Sequence, residues 1–284
     1  MKKVIKQVVS HIVYCLNRSE QIRVCSINET IEALIGSERS LVRFGDGEIT
    51  LIKGVDNKTQ QMDAELGRRL AEILQFREDN LLVALPDIFA GLDQYRDSGK
   101  RFWEDHLLKG RAYYYRYCDP KKVYFNSFIS RCYYLYRDKS ECVQQFQKIR
   151  QIWANRDVVV VEGAMTHNGI GNDLLDRAHQ VERILCPSTN AYVKYDLILE
   201  SCLRLDRSKM ILLSIGAAAK PLAYDLYQKG YRVIDIGNLD LEYEWFLQGQ
   251  QDKVRLPKHT VIGEEANRAA GYEQYLEQIL QVIE

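Results

Sequence analysis

Short apolar runs that favour strands alternate along this chain with amphipathic segments that favour helices. The predicted strands are Ser40–Phe44, Leu81–Leu85, Val158–Val161, Arg183–Cys186, Met210–Ile215 and Arg232–Ile236. The predicted helices are Ile27–Ile35, Gln60–Phe76, Glu141–Trp153, Ala191–Leu205 and Ala217–Lys229, with a last helix from Glu264 towards the C-terminus. Apolar strands that are each followed by a helix form mainly parallel sheets covered on both faces. We therefore predict an α/β fold with a mainly parallel, twisted sheet and helices on both faces.

Length and composition indicate one intracellular domain. The chain has 284 residues, and no repeat or linker rich in Pro, Gly or Ser divides it, so we expect a single domain over residues 26–284. Its 39 basic residues balance 39 acidic ones, which argues against a general nucleic-acid binder. The seven cysteines include no CxxC pair, which fits a reducing compartment. We find no bilayer-spanning run and no signal peptide, and we expect a cytoplasmic protein.

The first residues of the chain have a pattern of their own. Apolar residues recur at helical spacing from Val4 to Leu16, next to several lysines. This pattern predicts an amphipathic helix within residues 1–25. Such a helix packs on its own domain or on a second subunit, which would make the protein a homo-oligomer. A basic amphipathic helix also binds anionic membrane surfaces, so peripheral contact with the inner face of the membrane is the alternative.

The stretch RFGDGE ends the first predicted strand in an acidic tip, in which Asp46 and Glu48 alternate with Gly45 and Gly47. A glycine beside each carboxylate leaves room for a charged ligand, or for a cation that bridges to one, to approach the backbone. Asp-Gly is also a common dipeptide of tight hairpin turns. This stretch alone therefore leaves a turn and a metal site both open.

Two more strand ends carry candidate groups, because ligands of parallel α/β sheets bind beyond the carboxyl ends of the strands. The fifth predicted strand is followed by Gly216, three alanines and Lys220. The unpaired N–H groups that open the next helix favour a phosphate, and Lys220 would add a full charge. Small residues there equally allow close helix–sheet packing. His167, after the third strand, is either a base or a polar surface residue, and Arg131 either meets a phosphate or makes an ion pair.

A further acidic group follows the last predicted strand, where Asp240, Glu242 and Glu244 alternate with apolar residues. In an extended segment all three carboxylates share one face, whereas in a helix Asp240 and Glu244 share a face one turn apart. Clustered carboxylates favour a hard cation such as Mg²⁺ or Mn²⁺ together with substrate phosphates. The alternative is a solvated acidic edge.

Five blocks of the sequence together resemble the GT-D type of glycosyltransferase, a Rossmann-like sugar-transfer domain of bacterial glycoprotein glycosylation. Between Ile27 and Leu247 they read RFGDGE, NSFISRCYY, VVVVEGAMTHNGIGNDLL, RILCPSTNAYVKYDLIL and AYDLYQKGYRVIDIGNLDLEYEW, in the order of the family. The resemblance implies that a DxE motif, here Asp46 and Glu48, holds a divalent metal against the diphosphate of a sugar nucleotide, typically a UDP-sugar.

Two departures from the family pattern concern the donor site. The chain reads DIGN where the family tends to read DIGH, so that Asn238 stands in place of a histidine. A turn similar to GPTA in the family is replaced by Gly216 and three alanines, which removes a hydroxyl near the expected phosphates. Neither departure touches the DxE pair.

The resulting hypothesis is a metal-dependent glycosyltransferase. It would move a hexose, with glucose expected, from a UDP-sugar to a glycan acceptor in bacterial glycoprotein or cell-surface polysaccharide synthesis. Asp46 and Glu48 would hold Mn²⁺ or Mg²⁺, and one of Asp240, Glu242 and Glu244 would be the general base. The residues expected to bind the donor are Arg43, Gly45, Gly47, Asn190, Lys194, Gly216 and Lys220. The alternatives are a metal-dependent phosphoryl or nucleotidyl transferase and a non-catalytic nucleotide-sugar-binding subunit.

Overall fold

The computed structural model describes residues 21–259 and 270–284, in which strands and helices alternate along the chain. The strands are β1 (Arg23–Val24), β2 (Ser40–Arg43), β3 (Leu81–Leu85), β4 (Val123–Asn126), β5 (Asp157–Gly163), β6 (Gln180–Cys186), β7 (Met210–Ser214), β8 (Val233–Asp235) and β9 (Ile279–Val282). The helices are α1 (Ile27–Leu34), α2 (Asp46–Ile52), α3 (Ala64–Leu74), α4 (Asp97–Tyr117), α5 (Cys142–Ile149), α6 (Tyr195–Leu203), α7 (Ala219–Gln228), α8 (Leu239–Leu247) and α9 (Tyr272–Glu277). Short 3₁₀ turns include Ser127–Ser130, Ala191–Lys194 and Pro257–His259.

Within the described residues, nine strands form one sheet in the order β1-β4-β3-β2-β8-β7-β5-β6-β9. All of its strand pairs are parallel. Strands β3 and β7 are buried at every position, as is typical of parallel strands whose two faces are covered. The predicted α/β fold with a mainly parallel sheet is therefore confirmed.

The strand order places β2 and β8 side by side at the middle of the sheet. From β2 the chain passes to β3 and then to β4 on one side, whereas β7, β5 and β6 lie on the other side of β8. The direction of the connections reverses at this point, and sheets of this kind bind ligands at the carboxyl ends of the strands beside such a reversal. The acidic tip after β2 lies at that place.

The six predicted strands are all present with small shifts at their ends, but several elements were not predicted. Helix α4 and strands β1, β4 and β9 are additions to the predicted set. The prediction of a final helix running to the C-terminus is wrong, because α9 ends at Glu277 and Ile279–Val282 pair with β6. Residues 260–269, where that helix was predicted to begin, lie outside the described residues.

The predicted N-terminal helix falls mainly on residues 1–20, which also lie outside the described residues. It does not extend to residue 25, because Arg23–Val24 form β1 and pair with β4. Ser26 then starts α1 through a capping box, in which the Glu29 N–H donates to the Ser26 hydroxyl and the Ser26 N–H donates to the Glu29 carboxylate. This reciprocal pair satisfies two backbone donors at the helix start.

One large hydrophobic cluster fills both sides of the sheet, from Ile22 near the start of the described chain to Ile283 at its end. A smaller cluster of Ile170, Leu185 and Tyr275 lies beneath α9. Among the described helices, none has the length and apolar character that crossing a lipid bilayer requires.

Candidate active site

The acidic tip is the start of a helix. Helix α2 begins at Asp46, directly after β2, and Gly45 is its N-cap residue. The Gly45 N–H donates to Glu48 Oε2 at 2.8 Å, so Glu48 caps the helix to which it belongs. Asp46 is exposed in the first turn, where the helix dipole favours negative charge, whereas Glu48 is buried. The hairpin turn that the Asp-Gly dipeptide left open is therefore not formed.

A buried group of four charges lies beneath the tip. Asp235, at the end of β8, pairs with Arg43 at 3.0 Å and with Lys220 at 3.2 Å. Lys220 also lies 3.0 Å from Glu48. Burial by itself would raise the pKa of Asp235, but Arg43 and Lys220 hold it below its ordinary value. Burial would likewise lower the pKa of Lys220, but the carboxylates of Asp235 and Glu48 raise it.

Arg43 is fixed in this network by several acceptors and by a glycine. Its Nε donates to Asp235 O at 2.6 Å, and its Nη1 donates to Ser127 O at 3.2 Å and to the Ser130 hydroxyl. Gly237 has a φ of +47°, and a Cβ there would lie 1.8 Å from Arg43 Nη2, so only glycine allows this approach. Arg43 and Lys220 thus neutralise protein carboxylates, and their expected contact with a donor stays a prediction.

The charges of three basic side chains, Lys58, Arg131 and Lys253, act on Asp46. Desolvation of the carboxyl group by the surrounding chain and the nearby charge of Glu48 raise the pKa of Asp46, while Arg131 and Lys58 act against that shift. Desolvation, Arg131 and Lys58 lower the pKa of Lys253, whereas Glu242 and Asp46 act in the opposite direction. We call Lys58, Arg131 and Lys253 the basic trio. In the described part of the chain, none of the trio forms an ion pair with a carboxylate within 4.0 Å, so its positive charge is available to a ligand.

The three acids after β8 lie on helix α8 and have separate surroundings. Asp240 is fully buried, and its Oδ1 accepts hydrogen bonds from the Gly169 N–H and from Asn172 Nδ2, both at 2.8 Å. Its Oδ2 lies 2.8 Å from Lys258 Nζ and 2.7 Å from His259 Nε2. Burial would raise the pKa of Asp240, but His259 and Lys258 lower it to about 2. A carboxylate so well paired is a weak base.

Glu244 lies one turn from Asp240 and shares its partners, as the helical interpretation predicted. Its Oε1 accepts from Lys258 Nζ at 2.7 Å and from Asn172 Nδ2 at 2.6 Å. Glu244 and Asp240 therefore face the same side of α8, and both are bound to the segment that follows the helix.

Glu242 points elsewhere and is only partly satisfied. Its Oε2 accepts from the Tyr134 N–H at 2.9 Å and from the Tyr133 N–H at 3.3 Å. Its Oε1 is buried and has no hydrogen-bond partner among the described residues. Burial raises the pKa of Glu242, although Arg131 and Lys253 partly offset the rise. Arg131 and Lys253 interact electrostatically with Glu242 and also with Asp46. The two carboxylates are therefore linked by the basic trio.

The loop between α2 and α3 contacts three of the residues that were predicted to bind the donor. Asn57 Nδ2 lies 3.5 Å from Gly47 O, at the tip. Asn190, which has a φ of +55°, accepts from the Gln61 N–H at 2.6 Å through its Oδ1. A Cβ on Gly216 would lie 3.4 Å from the hydroxyl of Thr59. Gly47 and Asn190 thus bind this loop, Gly216 lies next to it, and the loop carries Lys58 of the basic trio.

Two other predicted residues lie beside this arrangement. Lys194 ends the 3₁₀ turn that follows Asn190 and is half-buried. Asn238, which replaces the family's histidine, is the exposed N-cap residue of α8. His167 is buried, and its Nδ1 lies 2.5 Å from Lys258 O, so it supports the segment after α8.

The acidic tip has a limited set of oxygen donors for a metal. No group of three or more His, Cys, Asp or Glu side chains that could hold an ion occurs in residues 21–259 and 270–284. Mg²⁺ and similar ions, however, are commonly bound by one or two carboxylates completed by water and substrate phosphates. Glu48 raises the pKa of Asp46, and a cation would relieve that repulsion. Glu48 already accepts from the Gly45 N–H and pairs with Lys220. Asp46 therefore fits an ion that is shared with a phosphorylated ligand, with Glu48 as a neighbouring negative charge.

Some site residues escaped the sequence analysis. Lys58 and Lys253 lie in irregular segments without a motif, so nothing in their surroundings marks them. Asp235 precedes Gly237 in the stretch VIDIG, and an acid at the end of an apolar strand was a usable signal. Arg131 was considered as a phosphate ligand, and it stands beside Asp46.

A cavity of about 910 Å³ lies elsewhere, between residues 169–183 and the C-terminal residues 270–280. It includes Arg183 and Tyr275 but neither Asp46 nor Glu242. The candidate site rests on convergent charge at the strand ends and does not coincide with this cavity.

Comparison with known proteins places the chain among the glycosyltransferases. It is 41% identical over 242 residues to "Probable glycosyl transferase Gly" of Streptococcus gordonii, covering 84% of this chain and 35% of that protein. "Glycosyltransferase GlyD" of Streptococcus pneumoniae is 39% identical over 241 residues, covering 84% of this chain and 30% of that protein. The chain therefore spans about a third of the length of these curated relatives.

The particular family follows from a sequence profile and a solved structure. The profile described as "Glycosyltransferase GT-D fold" matches residues 41–264. A structure described as a new glycosyltransferase from Streptococcus sanguinis is 38% identical, has a TM-score of 0.85, and covers 93% of this chain and 100% of that one. The chain belongs to the GT-D glycosyltransferase family. The predicted family and its Rossmann-like fold are confirmed, and the family is one of glycosyltransferases.

Proposed function

We propose that this chain transfers a hexose from a UDP-sugar to a hydroxyl of a glycan acceptor, with help from a divalent cation at Asp46 and Glu48. The observation that supports this proposal most is the meeting of three features at the ends of the central strands. These are the exposed carboxylate of Asp46, the charges of the basic trio, and an oxygen of Glu242. In the part of the chain that the structure describes, the trio has no carboxylate partner and this oxygen has no hydrogen-bond partner.

The donor's diphosphate fits the basic trio. A departing nucleoside diphosphate gains negative charge, and among residues 21–259 and 270–284 no carboxylate pairs with Lys58, Arg131 or Lys253 and would have to be displaced. Preorganised charges of this kind act where negative charge develops. When bound, Mn²⁺ or Mg²⁺ would supply Lewis-acid neutralisation of the same diphosphate. Asp46 would be its main protein ligand, because Glu48 already caps α2 and pairs with Lys220.

Glu242 is the group that we assign as general base. The acceptor oxygen forms a bond to the anomeric carbon as the bond from that carbon to the diphosphate oxygen breaks. The electron pair leaves with the nucleoside diphosphate, and the acceptor proton goes to Glu242 Oε1, which is buried and which acceptor binding must therefore expose. The raised pKa of Glu242 suits this role, because a base is most effective when its pKa lies near the working pH. Asp240 and Glu244 are fully engaged with Lys258.

The finer parts of the proposal rest on the resemblance of the sequence to the family. They are the UDP-glucose donor, a glycan acceptor in bacterial glycoprotein or cell-surface polysaccharide synthesis, and a cytoplasmic location. Contact with a membrane or a second subunit through residues 1–25 belongs to the same set. The relatives are named as glycosyltransferases of streptococci, which supports the sugar-transfer part.

A panel of nucleotide sugars tests the proposal without knowledge of the acceptor, because glycosyltransferases commonly hydrolyse their donors slowly. We expect release of intact UDP from one UDP-hexose, and from UDP-glucose first. Release of UMP, or of a phosphorylated sugar, would instead identify phosphoryl or nucleotidyl transfer. Tight binding of a nucleotide sugar without any product, across a panel of glycan acceptors, would identify a non-catalytic binding subunit.

A further inference from the structure

The segment after α8 crosses the candidate site and brings a cation to it. We call residues 251–259 the strap. Its early part is held by Arg96, which donates to Gln251 O and lies 3.2 Å from Asp252 Oδ1. Trp245 Nε1 donates to Val254 O at 3.0 Å. Between these contacts, the ammonium group of Lys253 lies 5.0 Å from the centre of the Tyr134 ring.

Tyr134 connects this position to the candidate base. Its backbone N–H donates to Glu242 Oε2, and its ring lies beneath Lys253. Tyr134 contacts both Glu242 and Lys253, and it therefore places Lys253 beside Glu242. Burial near Arg131 and Lys58 lowers the pKa of Lys253, as expected for a cation gathered with others of its sign. Bringing like charges together costs free energy unless an anion is bound among them.

The far end of the strap is fixed to Asp240. Lys258 and His259 both lie against Asp240 Oδ2, at 2.8 Å and 2.7 Å. Lys258 also donates to Ile170 O at 2.7 Å. Asp240 in turn accepts from the Gly169 N–H. Asp240 thus joins α8, the loop around residue 170 and the strap, and Glu244 adds a second contact of α8 with Lys258.

The buried ion pair of Asp240 with the strap is better explained by the position it gives the strap than by added stability. A buried ion pair is often no more stabilising than an apolar replacement of similar volume, but it demands one geometry, because each buried charge needs its partner. With two strap residues on one oxygen, Asp240 fixes the far end of the strap only five to six residues beyond Lys253. A segment this short reaches at most about 20 Å when extended. Arg96 and Trp245 hold the strap next to Lys253, so loss of the Asp240 anchor leaves these near contacts alone to position Lys253.

We propose that Asp240 is a positioning residue, which anchors the strap and thereby holds Lys253 in place to bind the donor's diphosphate. The ligand class in this inference rests on the proposed function. The anchoring itself concerns only contacts within the chain.

Binding of UDP in the presence of Mn²⁺, measured by titration calorimetry, tests the inference in a double-mutant cycle. Lys253→Ala and Asp240→Asn should each weaken UDP binding about tenfold or more, because a charge-assisted contact is lost or misplaced. The double variant should bind UDP no more weakly than the single variant that has the lower UDP affinity. In both single variants the KM for the donor should rise, while kcat should change by less than about threefold.

Amide hydrogen exchange supplies a readout that does not depend on the ligand. Asp240→Asn should speed exchange in residues 251–259 more than elsewhere in the chain. Asp173→Asn is the matched control, since Asp173 pairs with Arg150 and with the Tyr243 hydroxyl of the same helix but has no bond to the strap. It should leave strap exchange and UDP affinity unchanged. If Asp240→Asn does not fold, His259→Gln, which removes one strap contact, should give the same changes at smaller size.

Three outcomes would overturn the inference. If the losses of UDP affinity in Lys253→Ala and Asp240→Asn multiply in the double variant, the two residues act independently. A loss of kcat at unchanged UDP affinity in Asp240→Asn would place Asp240 in the chemical step. Unchanged exchange in the strap would remove the anchor. If the wild-type chain binds no nucleoside diphosphate but strap exchange responds as expected, the proposed substrate and the role of Lys253 fail while the anchor holds.

Discussion

At the scale of single residues, the acids of α8 show how similar side chains acquire different chemistry from their neighbours. Asp240 has four partners and a pKa lowered to about 2. Glu242 has a raised pKa, and one of its oxygens has no hydrogen-bond partner within the described parts of the chain. Two residues apart on a helix, the two side chains point in different directions, so one faces the strap and the other faces the basic trio.

Replacing Glu242 by glutamine should separate stability from activity. A buried carboxylate whose pKa is raised lowers the free energy of unfolding at pH values above that pKa, so Glu242→Gln should be at least as stable as the wild type at pH 8. Its kcat for sugar transfer should fall by roughly 10²- to 10⁴-fold, the usual contribution of a general base. Glu182→Gln, which loses a remote ion pair with Lys209, should keep full activity. A Glu242→Gln variant with wild-type kcat would remove Glu242 from the chemistry.

The pH dependence of kcat should carry the same signature. The base is active when ionised, and burial raises the pKa of Glu242 above its ordinary 4.5 despite Arg131 and Lys253. Activity should therefore decline on the acidic side at a pH higher than 4.5, and this decline should be absent from the residual activity of Glu242→Gln. An acidic limb that persists unchanged in the variant would assign it to another group.

At the scale of elements, the close contact between the turn after β8 and the end of β2 gives the site its shape. Gly237 lets Arg43 reach Asp235 across the two neighbouring strands. That contact explains the glycine of the DIGN stretch by packing rather than by ligand binding.

Gly237→Ala should displace Arg43 and break its buried ion pair. Disruption of such a pair costs about 3 kcal/mol of unfolding free energy, which urea denaturation would measure. Gly230→Ala is the control, because Gly230 also has a positive φ, of +83°, but nothing within 4 Å of its added Cβ. It should cost only about 1 kcal/mol. Equal losses in the two variants would mean that backbone strain, and not Arg43, accounts for the effect.

The elements that sequence patterns predicted are those with strong periodicity. The buried strands are apolar runs and were found, whereas α2 begins with Asp-Gly-Glu and resembles a turn. Helix α4 is 21 residues long but buries only Trp103, Leu107, Gly110, Arg111 and Tyr114, so its apolar stripe is sparse. Strand β9 lies at the sheet edge and is mainly exposed. It follows α9 directly, and Leu276, Ile279, Leu280 and Ile283 keep the spacing of a helix, so the sequence pattern predicts that the helix continues.

At the scale of the whole molecule, the site is assembled from parts that are distant in sequence. Asp46 and Glu48 were recognisable because the motif is local. Glu242 could not be chosen over its neighbours without the helix direction and the partners of each acid. Lys58 and Lys253 reach the site only through long-range contacts of their loops, which no local pattern encodes.

Asp240 also links the site to global stability. Its pKa of about 2 lies below the ordinary 3.8, so it stabilises the folded chain by about 2 kcal/mol at neutral pH. The sign follows from the depressed pKa: the contribution is complete above about pH 4 and is lost as the pH falls towards 2. Asp240→Asn should thus lower unfolding free energy at pH 7, and the difference from the wild type should shrink at pH 3. A difference that is constant with pH would contradict the ionised pairing.

The central claim is that Asp46 and the charges around it form a donor site that works with a divalent cation. The most direct measurement is the rate of UDP release from UDP-glucose with Mn²⁺ and with EDTA, for the wild type, Asp46→Asn and Asp196→Asn. Asp196 also lies in the first turn of a helix, α6, and serves as the matched control. The account predicts release that needs Mn²⁺ in the wild type and in Asp196→Asn, and a loss of roughly 10²-fold or more in Asp46→Asn. Release that is equal with and without the cation, or that survives in Asp46→Asn, would contradict it.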